Sequence, residues 1–218
     1  MSVRVFLADD HQLVRDGLKL LLEADPDICV AGEAADGRSA VRLVKGLRPD
    51  VVILDVAMPE MNGIDAAEII HREVPDTAII VLSMYSTKEH IFRALRAGAS
   101  GYLLKESAAV EVVSAVREVH CGRRYLSTRV SDEVIDAFIH PNQGADVETP
   151  LEMLSSRERQ ILQLVGEGKT SAQIGEILFL SPKTVDTYRS RVMAKLDVHD
   201  IAGLVRFAIQ HGLLSLES

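Results

Sequence analysis

Cysteine is nearly absent. Cys29 and Cys121 stand alone, with no CxxC spacing and no cluster of histidines near either. Free thiols are the expectation, not a disulfide framework or a metal centre. Long apolar runs are missing as well: none approaches the ~18 residues of a membrane span. The N-terminal MSVRVFLADDHQ meets Asp9 and Asp10 too early for a signal peptide. A cytoplasmic protein with no membrane partner is therefore expected. A basic excess is also lacking. The net charge is −8, which argues against a chain coated with nucleic acid along its whole length. No internal repeat or long low-complexity tract occurs.

What is present is unevenly distributed. Residues 1–120 carry 13 Lys/Arg against 19 Asp/Glu, net −6; residues 121–150 are net −2; residues 151–218 balance at 8 and 8. Acidity belongs to the first part, and a neutral C-terminal part can still carry a basic face. The first 120 residues alternate between two patterns. Strand-like runs are VRVFLA (3–8), ICVAGEA (28–34), VVIL (51–54), AIIVLS (78–83) and SGYLLK (100–105). Helix-like segments separate them; in the first, Leu13, Val14, Leu18, Leu21 and Leu22 are expected on one face. Five β-α units predict an α/β fold: a doubly wound, five-stranded parallel sheet with helices on both faces. Ligands of such sheets bind beyond the C-terminal strand ends.

Residues 121–150 break the alternation. STRVSDEVIDAFIH predicts one short helix, and PNQGADVETP reads as a linker. Residues 151–218 are helical throughout, so a small all-α domain follows. Its third helix opens with Ser181 as N-cap and Pro182 at the first helical position.

Carboxylates collect at the strand ends. Asp9 and Asp10 close the first strand and Asp55 the third. If those strands are neighbours, three acids converge, which is unfavourable without a cation; Mg²⁺ suits an all-oxygen set. Ser83 and Lys105 close the fourth and fifth strands on the same rim. Together they fit phosphoryl transfer to a carboxylate. Asp55 is the nucleophile, Lys105 and the metal offset charge, and Ser83 donates to a phosphoryl oxygen. Singly, each residue is an ordinary turn, cap or surface residue; five at four strand ends make the case. His11 has no partner spacing and reads as structural.

The strings ADD (8–10), LDVAMPEMNG (54–63), LSMY (82–85) and GYLLKE (101–106) resemble the receiver domain of bacterial two-component response regulators, CheY-like and flavodoxin-like in topology. The resemblance implies that Asp55 accepts a phosphoryl group from a sensor histidine kinase. It also implies Mg²⁺ held by Asp9, Asp10, Asp55 and the backbone carbonyl of Ala57. Ser83 and Tyr102 take the two switch positions: Ser83 moves to the phosphoryl group, Tyr102 fills the vacated space, and residues 87–104 change shape. Lys105 is followed by Glu106 where many receivers have proline, so no cis peptide is expected there.

In SPKTVDTYRSRVMAKL, Val192 and Leu196 fall within about 20° of Val185 on a helical wheel. Lys183, Thr187, Ser190 and Ala194 lie opposite, flanked by Asp186 and Arg191. A small, polar and basic outer face suits the DNA major groove, and the short turn before it reads as helix-turn-helix. Residues 154–196 resemble the DNA-binding domain of LuxR-type regulators. By that resemblance Lys183, Thr187 and Arg191 face the groove, and Lys169, Thr170, Arg189 and Lys195 contact phosphates. The last helix, 200–211, carries dimer contacts through Ile201, Leu204, Val205 and Ala208. A receiver joined to such a domain is the architecture of the NarL/FixJ class. It implies a phosphorylation-switched, dimerising transcription regulator on paired half-sites of double-stranded DNA, with RNA polymerase open as a further partner.

Three rival functions meet the same residues. A phosphatase of the haloacid dehalogenase type needs a second Asp two residues after the nucleophile, where this chain has Ala57, so turnover on outside substrates is not expected. A flavodoxin-like cofactor binder needs a Ser/Thr/Gly phosphate loop where this chain has Asp-Asp-His. An orphan transcription factor, controlled without phosphorylation, stays open.

Overall fold

The structure is a computed structural model and describes residues 2–140, 150, 151 and 153–214. The expected linker 141–150 lies, apart from Pro150, outside the described residues. The chain divides into two compact units, 1–146 and 147–218.

In the first unit, strands β1 (Val3–Ala8), β2 (Ile28–Ala34), β3 (Val51–Asp55), β4 (Ala78–Ser83) and β5 (Gly101–Leu104) form a parallel sheet. Between them run helices α1 (Gln12–Glu23), α2 (Gly37–Leu47), α3 (Gly63–Glu73) and α4 (Lys88–Arg96), with α5 (Ala108–His120) after β5. The strand order is β2-β1-β3-β4-β5-β6, so β1 and β3 are neighbours and the chain reverses direction across the sheet beside them. All five residues of β3 are buried. They alternate between two cores: Val52 and Leu54 face the side packed by α2, α3 and α4, and Val51 and Ile53 face the side packed by α1 and α5. A strand covered on both faces loses the polar-apolar alternation of a half-exposed one.

Two features depart from the sequence expectation. The sheet has six strands, not five: β6 (Tyr125–Leu126) adds in parallel to β5, pairing Gly101 with Tyr125 and Tyr102 with Leu126. Two residues are too few to show a period. The expected short helix exists as α6 (Thr128–Ile139), and it packs on α4 and β5. Its Val130 is fully buried in the same core as Tyr102 and Ile91. In α1, Leu18 and Leu22 are buried but Leu13 is 85% exposed. Leu13 is the second residue of the helix and lies off the face that Leu18 and Leu22 turn inward. Both cysteines are free thiols. Among the described residues no helix is long and apolar enough to cross a membrane.

The second unit holds α7 (Ser156–Gly166), α8 (Ser171–Leu178), α9 (Pro182–Leu196) and α10 (Ile201–Gln210). Three starts are written in the local sequence. Ser155 and Glu158 close a capping box on α7, Thr170 and Gln173 another on α8, and Ser181 accepts from the Thr184 amide at the head of α9. The core gathers Ile161, Leu164, Ile174, Val185, Val192 and Leu204.

Candidate functional site

The neighbouring ends of β1 and β3 bring Asp9 and Asp55 together, both almost fully buried. Lys105, just beyond β5, reaches both: its Nζ lies 2.8 Å from Asp9 Oδ2 and 3.0 Å from Asp55 Oδ2. Ligand atoms of Asp9, Asp10, His11 and Asp55 all lie within 4.8 Å of one another. His11 is thus part of the group that spacing alone read as structural. Its backbone N–H donates to Asp9 Oδ1 at 2.9 Å and its Nδ1 lies 2.7 Å from Asp10 Oδ1. As the residue that caps α1, it is carried to the acids by the helix start.

The loop after β3 is shaped by glycine. A Cβ on Gly63 would stand 2.0 Å from the Asp55 carbonyl oxygen, so the chain can fold back beneath the acid only with hydrogen there. Ala57, half-buried, lies in that loop. Asn62 caps α3 by accepting from the Asp65 amide at 2.9 Å.

The electrostatics follow from crowding. Burial first, and then the Asp9 charge, push the Asp55 carboxyl up to about 6, although Lys105 pulls the other way. Burial works against the Lys105 ammonium, but the Asp55 and Asp9 carboxylates outweigh it and hold the lysine above its ordinary value. One ammonium thus faces two buried carboxylates with a third beside them. The Lys105 ammonium serves Asp9 Oδ2 and Asp55 Oδ2 at once, and Asp10 Oδ1 faces the His11 ring. Three clustered carboxylates against one ammonium leave a net-negative, oxygen-rich set, which fits a hard divalent cation.

Ser83 and Tyr102 sit beside this group. The Ser83 hydroxyl accepts from the Tyr85 amide at 3.0 Å, and the Tyr102 hydroxyl donates to the Tyr85 carbonyl at 2.7 Å. Tyr102 is fully buried, and burial pushes its phenol up to about 12. In this structure the Tyr102 ring is inside, held by that hydrogen bond. Tyr85 stacks on His90 at 4.7 Å.

In the second unit, α8 ends on Phe179, whose φ of 56° turns the chain, and the Leu180 amide donates to the Gly175 carbonyl at 2.8 Å. Lys183, Thr187 and Arg191 stand exposed on α9, while Val185 and Val192 are buried. The Thr187 hydroxyl donates to the Lys183 carbonyl at 2.9 Å, and the Arg191 guanidinium lies 5.8 Å from the centre of the Tyr188 ring. Lys169 and Thr170 are exposed at the head of α8. Arg189 bends back to Asp186 at 3.1 Å, and Asp186 accepts from the Ser171 hydroxyl at 2.7 Å.

Three sequence assignments meet a structural obstacle. The Lys195 ammonium donates to buried Glu158 at 2.7 Å and to the Met153 carbonyl at 3.0 Å, so it joins α9 to the head of α7 and does not reach for phosphate. Leu204 and Ala208 are fully buried in the unit's own core, since four-residue spacing puts both on the inner face of α10. Ile201 is 52% exposed and Val205 is half-buried, so these two remain at the surface.

Acids and a lysine at the C-terminal strand ends of a parallel α/β sheet, joined in one chain to a helix-turn-helix unit, are the parts of a receiver-type regulator. The chain belongs to the response regulators: residues 5–117 match the response regulator receiver domain, and residues 152–208 match the bacterial regulatory proteins of the luxR family. It is 42% identical over 213 residues to the transcriptional regulatory protein LiaR of Bacillus subtilis, covering 98% of this chain and all of that one. It is 39% identical over 216 residues to the response regulator UvrY of Escherichia coli, covering 99% and 98%. Among solved structures, Salmonella typhimurium RcsB matches with a TM-score of 0.59 at 26% identity, covering 96% and 98%. A LuxR-family regulator from Aurantimonas gives 0.61 at 34% identity, covering 64% of this chain and 99% of that one. A structure titled as an RcsB–DNA complex matches at 0.59 and 26%, covering 96% and 98%.

Proposed function

We propose that a sensor histidine kinase phosphorylates Asp55, and that the phosphoryl charge promotes dimers that bind paired half-sites on DNA and regulate transcription in the cytoplasm. The observation that carries this reading is the buried triangle of Asp9, Asp55 and Lys105. An Asp55 carboxylate oxygen attacks the phosphorus, the bond to the donor histidine breaks, and the ring, already protonated on its other nitrogen, leaves as neutral imidazole. Lys105 offsets the charge gathering on the transferred group. Asp9, Asp10, Asp55 and the Ala57 carbonyl would hold Mg²⁺, which supplies further positive charge there. Ser83 donates to a phosphoryl oxygen, and Tyr102, already inside, holds the pocket wall. Ala57, in place of a second acid, supports an acceptor over a multiple-turnover phosphatase.

On the DNA side, Lys183, Thr187 and Arg191 are the groove-facing set, with Lys169, Thr170 and Arg189 toward phosphates. Ile201 and Val205 are the remaining dimer candidates on α10. Dimers matter because two linked helix-turn-helix units bind far more tightly than one. The solved RcsB–DNA complex is consistent with this use of the second unit.

The test is intact mass after incubation with Mg²⁺ and a small acyl phosphate. The reading expects one phosphoryl group on the wild type and none on Asp55→Asn. Equal labelling of both proteins, or none on either, overturns it, and the second result favours control without phosphorylation.

A further inference from the structure

Beside the Asp55 pocket is a small cavity of about 50 Å³, and its lining includes a residue the function above does not use. Ser83, Ser86, Lys105 and Glu106 come from the receiver strand ends. Arg129 comes from the first turn of α6, the last described element before the second unit. We propose that Arg129 reads the phosphoryl group on Asp55 and passes that charge into α6, making the linker helix an output element of the switch. This rests on the reading of Asp55 as phosphoacceptor.

Charge and exposure support it. Arg129 is paired with Glu106, the residue after Lys105, and the two side chains are 64% and 58% exposed. An exposed pair is weak and exchangeable. A phosphoryl group adds about −1.5 to −2 of charge and three acceptor oxygens on the other side of Ser83 and Lys105. A guanidinium binds such oxygens in a paired geometry. The doubly charged group therefore competes with Glu106 for Arg129.

The first turn of α6 is also tied to the switch residue. Leu126 pairs with Tyr102 across β6 and β5, the Ser127 amide donates to the Tyr102 carbonyl at 3.0 Å, and Val130 is fully buried in the core that holds the Tyr102 ring. One observation marks this turn as poised. The Ser127 hydroxyl, 2% exposed at the N-cap of α6, makes no cap bond and has no hydrogen-bond partner among the described residues. A buried hydroxyl without a partner favours any small shift that gives it one. Drawing Arg129 toward the phosphoryl group pulls on the same turn. The result is a first turn of α6 held more tightly when Asp55 is charged.

Hydrogen exchange followed by mass spectrometry on peptides spanning 127–134 tests this on the full chain, with and without Mg²⁺ and beryllofluoride. Native mass spectrometry on the same samples reports whether the adduct forms. In the loaded wild type, exchange should slow by about two- to fivefold, the effect of one exposed ion pair. Arg129→Gln should form the adduct and lose the slowing, and Arg129→Lys should keep part of it. If loaded wild type shows no slowing, the inference fails while Asp55 stands. If Arg129→Gln still slows, or Arg129→Lys behaves as Arg129→Gln does, the charge of Arg129 is not the reader. If no adduct forms on the wild type, the Asp55 reading fails first, and this one with it.

Discussion

The acid pocket and the outer face of α9 pose the same question, which side chains meet a ligand, and answer it differently. In the pocket, Asp9, Asp10, Asp55, Ser83 and Lys105 come from four strand ends to one rim. On the helical unit, charge alone does not mark the ligand face: Lys195 is turned to Glu158, and Arg189, a phosphate candidate, also pairs with Asp186. The difference is one of burial. Clustering buried carboxylates is unfavourable, so a fold that does it marks a candidate functional site. Surface lysines and arginines cost little wherever they lie, and the same side chain serves a cap, an ion pair or a phosphate.

The largest effect expected from breaking this contrast is at Asp55. Asp55→Asn should abolish phosphoryl labelling outright by intact mass, and Lys105→Met should cut its rate at least about tenfold, the loss of a charge-assisted contact to the transferred group. A smaller but still large effect is expected at Leu204. Leu204→Ala should destabilise the helical unit by about 2–5 kcal/mol in thermal or denaturant unfolding. If instead it leaves stability intact and only blocks dimers, α10 faces outward and the packing described above is wrong.

Third comes the pocket's own strain. The Asp55 carboxyl stands at about 6 in the folded protein against an ordinary 3.8. The folded form therefore holds that proton over a range where the unfolded chain has released it. The resulting penalty is absent below about pH 4, grows as pH rises, and is complete above about pH 6. Metal-free Asp55→Asn should thus be more stable than wild type at pH 7 by about 1–3 kcal/mol. The gap should shrink toward pH 4 and on adding Mg²⁺. A mutant less stable than wild type at pH 7 would contradict the crowding argument.

The smallest effects separate two lysines of one helix. Lys195→Met leaves buried Glu158 without its ammonium and should cost about 1–2 kcal/mol of stability. Lys183→Ala should leave stability unchanged and weaken DNA binding by about 1–3 kcal/mol, with specificity relaxed at the base pair it meets. Reversed outcomes in unfolding and DNA-binding titrations would exchange their roles.

How much of this was legible follows the same division. The receiver strands were readable because a doubly covered strand leaves an unbroken apolar run, as in 51–54. The pocket was readable because parallel strands deliver their ends to one rim. The helix starts at Ser155, Thr170 and Ser181 carry local chemistry. Strand β6 was not readable, because two residues have no period. Nor was the seat of α6, since a helix at the end of an alternating series can pack anywhere its Val130 face finds apolar surface. His11 escaped because its nearness to Asp10 comes from the turn into α1. Leu204 and Ala208 were placed outward by their part in the resemblance, although their four-residue spacing with an apolar partner face is equally that of a core.

The most direct test is light scattering of the full chain with Mg²⁺, with and without beryllofluoride, alongside Asp55→Ala. The account predicts that the loaded wild type doubles in mass and that Asp55→Ala does not. A loaded wild type whose mass stays that of one chain, or an Asp55→Ala protein that doubles equally, would contradict it.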